Sequence, residues 1–229
     1  MAVDLAHYAQ SRISPFDEQA LRLLLAKASP DGGLITVMEI GSWFGAGSTQ
    51  ILAAHAEKII CVDHWKGSGV AEHDDIIRQI DPYSIFQRNI AAFREKVVAL
   101  RCDSSQIAEE IEDNSIDFAF IDGDHRYAQT KQDIEVCLPK IRKGGVLCGH
   151  SCEGRVNAVN EGFLRDYREG GDIDSIFPKF KHCHPGVIVA VDETLSEFEL
   201  FSDDKFRMES KSDDGVQFGY SSIWFTFKK

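Results

Sequence analysis

Asp122, Asp124 and His125 share the short stretch "IDGDHRY", and His150 closes a later one, "KGGVLCGH". Carboxylates and imidazoles crowded this closely are costly unless they meet a ligand, a proton or a cation. An imidazole titrates near neutral pH without special tuning, which makes His125 the preferred proton acceptor and Asp124 the second choice. A cap on the helix that opens near Arg126 explains Asp124 equally well. His150 reads either as a ligand or as a satisfied structural histidine.

A second set of candidates surrounds "VMEIGSWFGAGSTQILAAHAEKIICVDHWKGS", residues 37–68. A hydrophobic run, a glycine-rich turn, a small-residue stretch and a second hydrophobic run follow one another there. Gly41, Gly45 and Gly47 permit a tight turn close to whatever lies above the first run. The first turn of a helix from Ser48 would aim unpaired N–H groups at the same spot. Asp63 arrives about twenty residues after the first glycine, where a nucleoside-binding βαβ unit places a carboxylate on the ribose hydroxyls. The order predicts a nucleoside cofactor, although the segment is not the strict G-x-G-x-x-G pattern.

These residues need a scaffold of alternating strands and helices. Ile35–Ile40 and Ile116–Ile121 are apolar runs too short for helices, and read as strands buried on both faces. Residues 58–62, 97–100 and 146–148 read as further strands. Ser14 followed by Pro15 predicts a helix start, and "EQALRLLLAK" supplies apolar residues at helical spacing to cover the sheet. Helices are also expected over 48–56, 83–95, 127–141 and 157–168, with Lys143-Gly144-Gly145 as the stop of the third. Asp103 with Ser104 caps the next helix or turns toward a ligand base. "FELFS" and "SSIWFTFK" read as late strands, while "PGVIVAVDETL" is readable as strand or helix. The strand ends would present Asp122, Asp124, His125 and His150 to one crevice.

Composition limits the function classes. With 229 residues and 43% hydrophobic content the chain is large enough for one core, and no Pro/Ser-rich tract divides it. A net charge of −12 argues against a nucleic-acid backbone as partner, since phosphate neutralisation calls for clustered Lys and Arg. "MAVDLAHYAQ" lacks a basic region followed by an apolar one, and no apolar run is long enough to cross a bilayer; a cytoplasmic protein without membrane contact is expected. The six cysteines form no C-x-x-C pair and read as reduced, buried thiols. His182-Cys183-His184 reads as a solvated loop in preference to a metal cluster.

Taken together, "IDGDHRY", "KGGVLCGH" and the Glu39-x-Gly41 loop resemble the class I S-adenosylmethionine-dependent methyltransferases. The chain is most similar to their small-molecule O-methyltransferase branch (methyltransferase family 24-like), closely over residues 34–155. The resemblance implies an α/β, Rossmann-like three-layer sandwich with a seven-stranded, mostly parallel sheet and an antiparallel last strand. It implies one domain, 1–229, with an N-terminal helical segment (1–33) and two insertions over the active site (64–82 and 152–184) that select the acceptor. Gly41 and its loop would lie against the methionine part of S-adenosylmethionine and Asp63 would hold the ribose. Asp103 and Ser104 would border the adenine, and Asp122 would sit beneath the reacting centre. Glu39, Ser42, Gly45 and His64 complete the implied cofactor-binding set.

In related metal-dependent members the residues matching Asp122, His150 and Ser151 hold a divalent cation, magnesium or manganese. Ser151 stands where the family has Asp, which removes a charge from that site. The implied reaction is methyl transfer to a hydroxyl of a small-molecule acceptor by a homodimer built through the N-terminal helix and C-terminal strand. Two other readings stand beside it. One is a non-catalytic nucleoside-binding module; the other is an NAD-dependent oxidoreductase, which lacks both its fingerprint and a Ser/Tyr-x-x-x-Lys pair.

Overall fold

The computed structural model describes residues 13–67, 71–212 and 215–229. The expectation for the first ten residues, and parts of the 1–33 segment and the 64–82 insertion, lie outside them. The helices are α1 (Pro15–Ala28), α2 (Ser48–His55), α3 (Ala71–Ile77), α4 (Pro82–Asn89), α5 (Ile107–Glu110), α6 (Tyr127–Cys137), α7 (Glu161–Asp166) and α8 (Pro185–Thr194). The strands are β1 (Ile35–Ile40), β2 (Ala56–Val62), β3 (Val97–Leu100), β4 (Ile116–Ile121), β5 (Ile141–Gly149), β6 (Ile173–Asp174), β7 (His182–Cys183), β8 (Glu199–Leu200), β9 (Met208–Ser212), β10 (Gly215–Gly219) and β11 (Trp224–Phe227).

Seven strands make the main sheet in the order β3-β2-β1-β4-β5-β11-β8. The first five run parallel, and β11 is antiparallel to both its neighbours. Side chains alternate across it. Val37, Phe118, Val146 and Cys148 pack with α1 and α2, while Met38, Ile40, Ala119 and Leu147 pack with α6 and α8, so helices cover both faces. The expected three-layer α/β architecture is what the chain adopts. The chain leaves β1 to pair with β2 on one side and β4 on the other, and a ligand crevice opens at such a switch point.

The element ends differ from expectation for identifiable reasons. The helix expected over 127–141 stops at Cys137, because Pro139 has no N–H to continue the ladder. Lys143-Gly144-Gly145 is therefore part of β5, with the Gly144 N–H donating to the Lys228 carbonyl. The helix expected over 83–95 ends at Asn89, whose carbonyl accepts from the Gln50 side chain at 3.1 Å. The one expected over 157–168 shrinks to α7, since the Asn157 and Asn160 side chains bond local backbone N–H groups instead. "PGVIVAVDETL" is helix α8, and "FELFS" contributes only the two-residue strand β8.

The apolar face of α1 is buried within the chain, and β11 lies between β5 and β8. No helix among the described residues is long and apolar enough to cross a membrane. All six cysteines are free, and all but Cys102 are buried.

Candidate active site

A cleft of about 270 Å³ lies across the carboxyl ends of β1, β2 and β4. Gly41, Trp43, Asp63, His64, Asp103, Ser104, Asp122 and Asp124 line it, together with His73, Arg126, Gln129 and Asp133, which sequence reasoning missed. Gly41 has φ +87°, and a Cβ there would overlap the Asp122 carbonyl. The position therefore excludes any side chain if the β1 and β4 ends are to meet. Glu39, Ser42 and Gly45, expected around the cofactor, are not in the lining. Glu39 is fully buried under α2, where the Ser48 and Thr49 hydroxyls each donate to it at 2.6 Å, and burial raises its pKa. Its work is to tie the start of α2 to β1. A Cβ on Gly45 would run into Phe86 and Ile90, so that glycine serves packing.

Asp63 sits between two turns. Its carboxylate accepts from the Trp43 N–H at 2.8 Å and from the Trp65 N–H at 2.5 Å, joining the glycine loop to the end of β2. Burial raises its pKa against these bonds. Trp43 takes a left-handed φ of 42° and stacks on His73 at 4.8 Å, which brings the 64–82 insertion to the cleft wall. At the far end Asp103 caps the short turn before α5 by accepting from the Ser105 hydroxyl and N–H, which lower its pKa. Ser104 donates to Asp133, and Gln129 donates to both. Burial pushes Asp133 up to about 7. Gln129 and Asp133 are one helical turn apart on α6, a spacing visible in the sequence once α6 is placed.

Asp122 ends the cleft and begins a second cluster. Its Oδ1 lies 3.5 Å from His125 Nε2 and 3.7 Å from His150 Nδ1. The other nitrogen of His150 is 3.3 Å from Asp17 Oδ2, carried in by the first turn of α1. Burial works against a charge on His150, but Asp122 and Asp17 raise its pKa to about 9. The same pairing outweighs burial at Asp122 and Asp17 and keeps both carboxyls below their ordinary range. The Ser151 hydroxyl lies 3.1 Å from His150 Nδ1 and 3.5 Å from His125 Nε2.

Asp122, His150 and Ser151 are thus brought together, but they do not fit the expected magnesium or manganese. They offer one carboxylate, one imidazole and a neutral hydroxyl, whereas magnesium and manganese favour carboxylate, carbonyl and water oxygens. Asp124 does not cap α6, which opens from Arg126 without a side-chain cap; it accepts from the Arg126 N–H at 3.0 Å and pairs with the Arg126 guanidinium, which outweighs burial and lowers its pKa. A carboxylate so held is a poor proton acceptor. His182 is exposed as expected but lies in strand β7 and not in a loop, and His184 departs further. That side chain is 13% exposed, pairs with Glu153 and Asp172 at 2.8 Å each, and meets the His125 ring edge-on at 4.5 Å.

The family described as "Methyltransferase domain" matches residues 38–152 of the chain. The uncharacterized protein y4gI of Sinorhizobium fredii (strain NBRC 101917 / NGR234) is 28% identical over 124 residues, which span 52% of this chain and 13% of that protein. Among solved structures, a candidate O-methyltransferase from Klebsiella pneumoniae superposes with a TM-score of 0.57 at 14% identity, covering 98% of this chain and 86% of its own. The O-methyltransferase TomG from Streptomyces achromogenes, solved with S-adenosylmethionine, gives 0.54 at 14% identity, covering 98% and 89%. At such identity the likeness is one of fold.

Proposed function

We propose that this chain, which belongs to the methyltransferase-domain family, is an S-adenosylmethionine-dependent methyltransferase whose acceptor is the hydroxyl of a small molecule and whose acceptor proton passes to His125. One observation carries this reading: the cleft runs without a break from Asp103 and Ser104, past Asp63, to Asp122, and the carboxylate of Asp122 leads directly to His125.

The cleft residues fit the cofactor. Each Asp63 oxygen accepts one N–H and keeps a lone pair for a ribose hydroxyl. Ser104, Gln129 and Asp133 would border the base, and Gly41 the methionine end. S-adenosylmethionine supplies a sulfonium methyl group for in-line displacement. The protein has to align the acceptor oxygen and remove its proton. His125 would receive that proton, and the Asp122 carboxylate beside its Nε2 would stabilise the imidazolium formed. The segments at 64–82 and 152–184, whose His73 and His184 stand at opposite ends of this arrangement, would select the acceptor.

Calorimetry with S-adenosylhomocysteine and with NAD tests the cofactor, and labelled-methyl turnover over a panel of hydroxylated metabolites tests the acceptor. Binding of S-adenosylhomocysteine alone, and turnover that collapses in His125→Ala while that binding persists, is expected. Full turnover in the variant removes His125 from the reaction; cofactor binding with no turnover on any hydroxyl acceptor removes the acceptor class.

A further inference from the structure

We propose that His125, Asp172 and His184 form a binding site for a divalent transition-metal ion such as zinc, distinct from the Asp122, His150 and Ser151 set. Among the described residues this is the trio of metal-capable side chains whose ligand atoms lie within 4.8 Å of one another. A tetrahedral zinc site with bonds near 2.1 Å spaces its ligand atoms roughly 3.4 Å apart, so a small turn of Asp172 that opens its 2.8 Å contact with His184 and narrows the wider gaps completes the trio. Asp172, 61% exposed, can make that turn.

Three long-range features build the site. The β6–β7 ladder pairs Ile173 with Cys183 and Asp174 with His182, and so sets Asp172 against His184. Gly186 lets the first turn of α8 press against the His125 backbone carbonyl, where any Cβ would clash. Glu153, buried, accepts from the His184 N–H at 3.0 Å and holds its Nδ1 at 2.8 Å. With Nδ1 so held, His184 Nε2 faces Asp172 Oδ1 at 2.8 Å. A carboxylate on the far nitrogen of an imidazole is the arrangement that orients a metal-binding histidine.

Two imidazoles and one carboxylate suit zinc, cobalt or iron(II) in preference to magnesium or calcium. Three protein ligands also leave a coordination position open. Occupancy would take the lone pair of His125 that the transfer reaction uses, so cation and proton compete for one ring. The site itself rests on these residues whatever the acceptor.

The test uses the full chain stripped with chelator, titrated with zinc by calorimetry and with cobalt(II) by visible absorption. One equivalent should bind. Asp172→Asn should weaken it at least about tenfold, and Glu153→Gln about 10- to 100-fold. His182→Ala and Ser151→Ala should leave the affinity unchanged, and S-adenosylhomocysteine binding in every variant reports an intact fold. Absence of zinc and cobalt binding overturns the proposal. So does one equivalent that ignores Asp172→Asn, or that is lost in Ser151→Ala.

Discussion

The end of the cleft bounded by Asp63 and Asp103 and the end reached through Asp122 are both rich in carboxylates, yet they are assembled in opposite ways. At the first, dipoles answer charges: Trp65, two residues on, and Trp43 of the glycine loop answer Asp63, and Ser105, two residues on, answers Asp103. At the second, charges answer charges across the fold, with Asp17 from α1, Asp122 and His125 after β4, and His150 after β5. The first end is set once β1, β2, β3 and α6 stand together. The second exists only when the whole sheet and its covering helix are in place, so damage there should be felt in stability before it is felt in ligand affinity.

The sharpest way to break this contrast is Asp17→Ala. Removing one partner from a buried charge pair leaves the other uncompensated, so the expected loss is about 3–5 kcal/mol of stability in urea unfolding at pH 6. A loss under about 1 kcal/mol would make the two ends alike. Proton linkage gives a second test on the unaltered protein. His150 has its folded pKa raised to about 9, so its contribution is fully present below its ordinary value near 6.5 and is lost as pH climbs toward 9. Asp17 and Asp122 have theirs depressed, so their contribution is present above their ordinary value and is lost on acidification. Stability should therefore fall by roughly 2–3 kcal/mol between pH 6.5 and 9 in wild type, and much less in Asp17→Ala.

Asp63→Ala probes the other end. It should weaken S-adenosylhomocysteine binding by roughly 1–3 kcal/mol in calorimetry, the cost of leaving ribose hydroxyls unpaired. An unchanged dissociation constant would take Asp63 out of the cofactor site. Asp124→Ala should have the smallest effect, under about 1 kcal/mol in unfolding and little change in turnover, because its partner Arg126 is half exposed. A large fall in turnover would return Asp124 to the proton-transfer step.

The same contrast explains what could be read from the chain alone. Ile35–Ile40 and Ile116–Ile121 were legible as strands because burial on both faces makes them nearly continuous apolar runs, and the half-exposed edge strand Val97–Leu100 because it is short and β-branched. The cleft residues Gly41, Asp63, Asp103 and Ser104 follow strand ends, so finding the strands finds them. Helix ends were less legible where a side chain from another element took over a backbone group, as Gln50 does at Asn89. Asp17, Glu153, Asp172 and His184 carry no local signature at all. Asp17 reads as an ordinary capping-box residue, and His184 as part of a loop, until α1 meets β5 and the β6–β7 ladder forms.

One bond gives the order in which the acceptor end can be completed during synthesis. Asp17 Oδ1 accepts from the Ser221 hydroxyl at 2.6 Å, a contact that closes a separation of 204 residues. At ribosomal rates of about 5–20 residues per second, Ser221 is made roughly 10–40 seconds after Asp17. Through that interval α1 can form on its own cap, but its carboxylate has neither His150 nor Ser221 to meet for most of the time. The nascent chain would therefore hold a nearly complete nucleoside end well before the histidines are locked, and a molecule unable to finish β11 would reach the cofactor stage without a settled place for the acceptor.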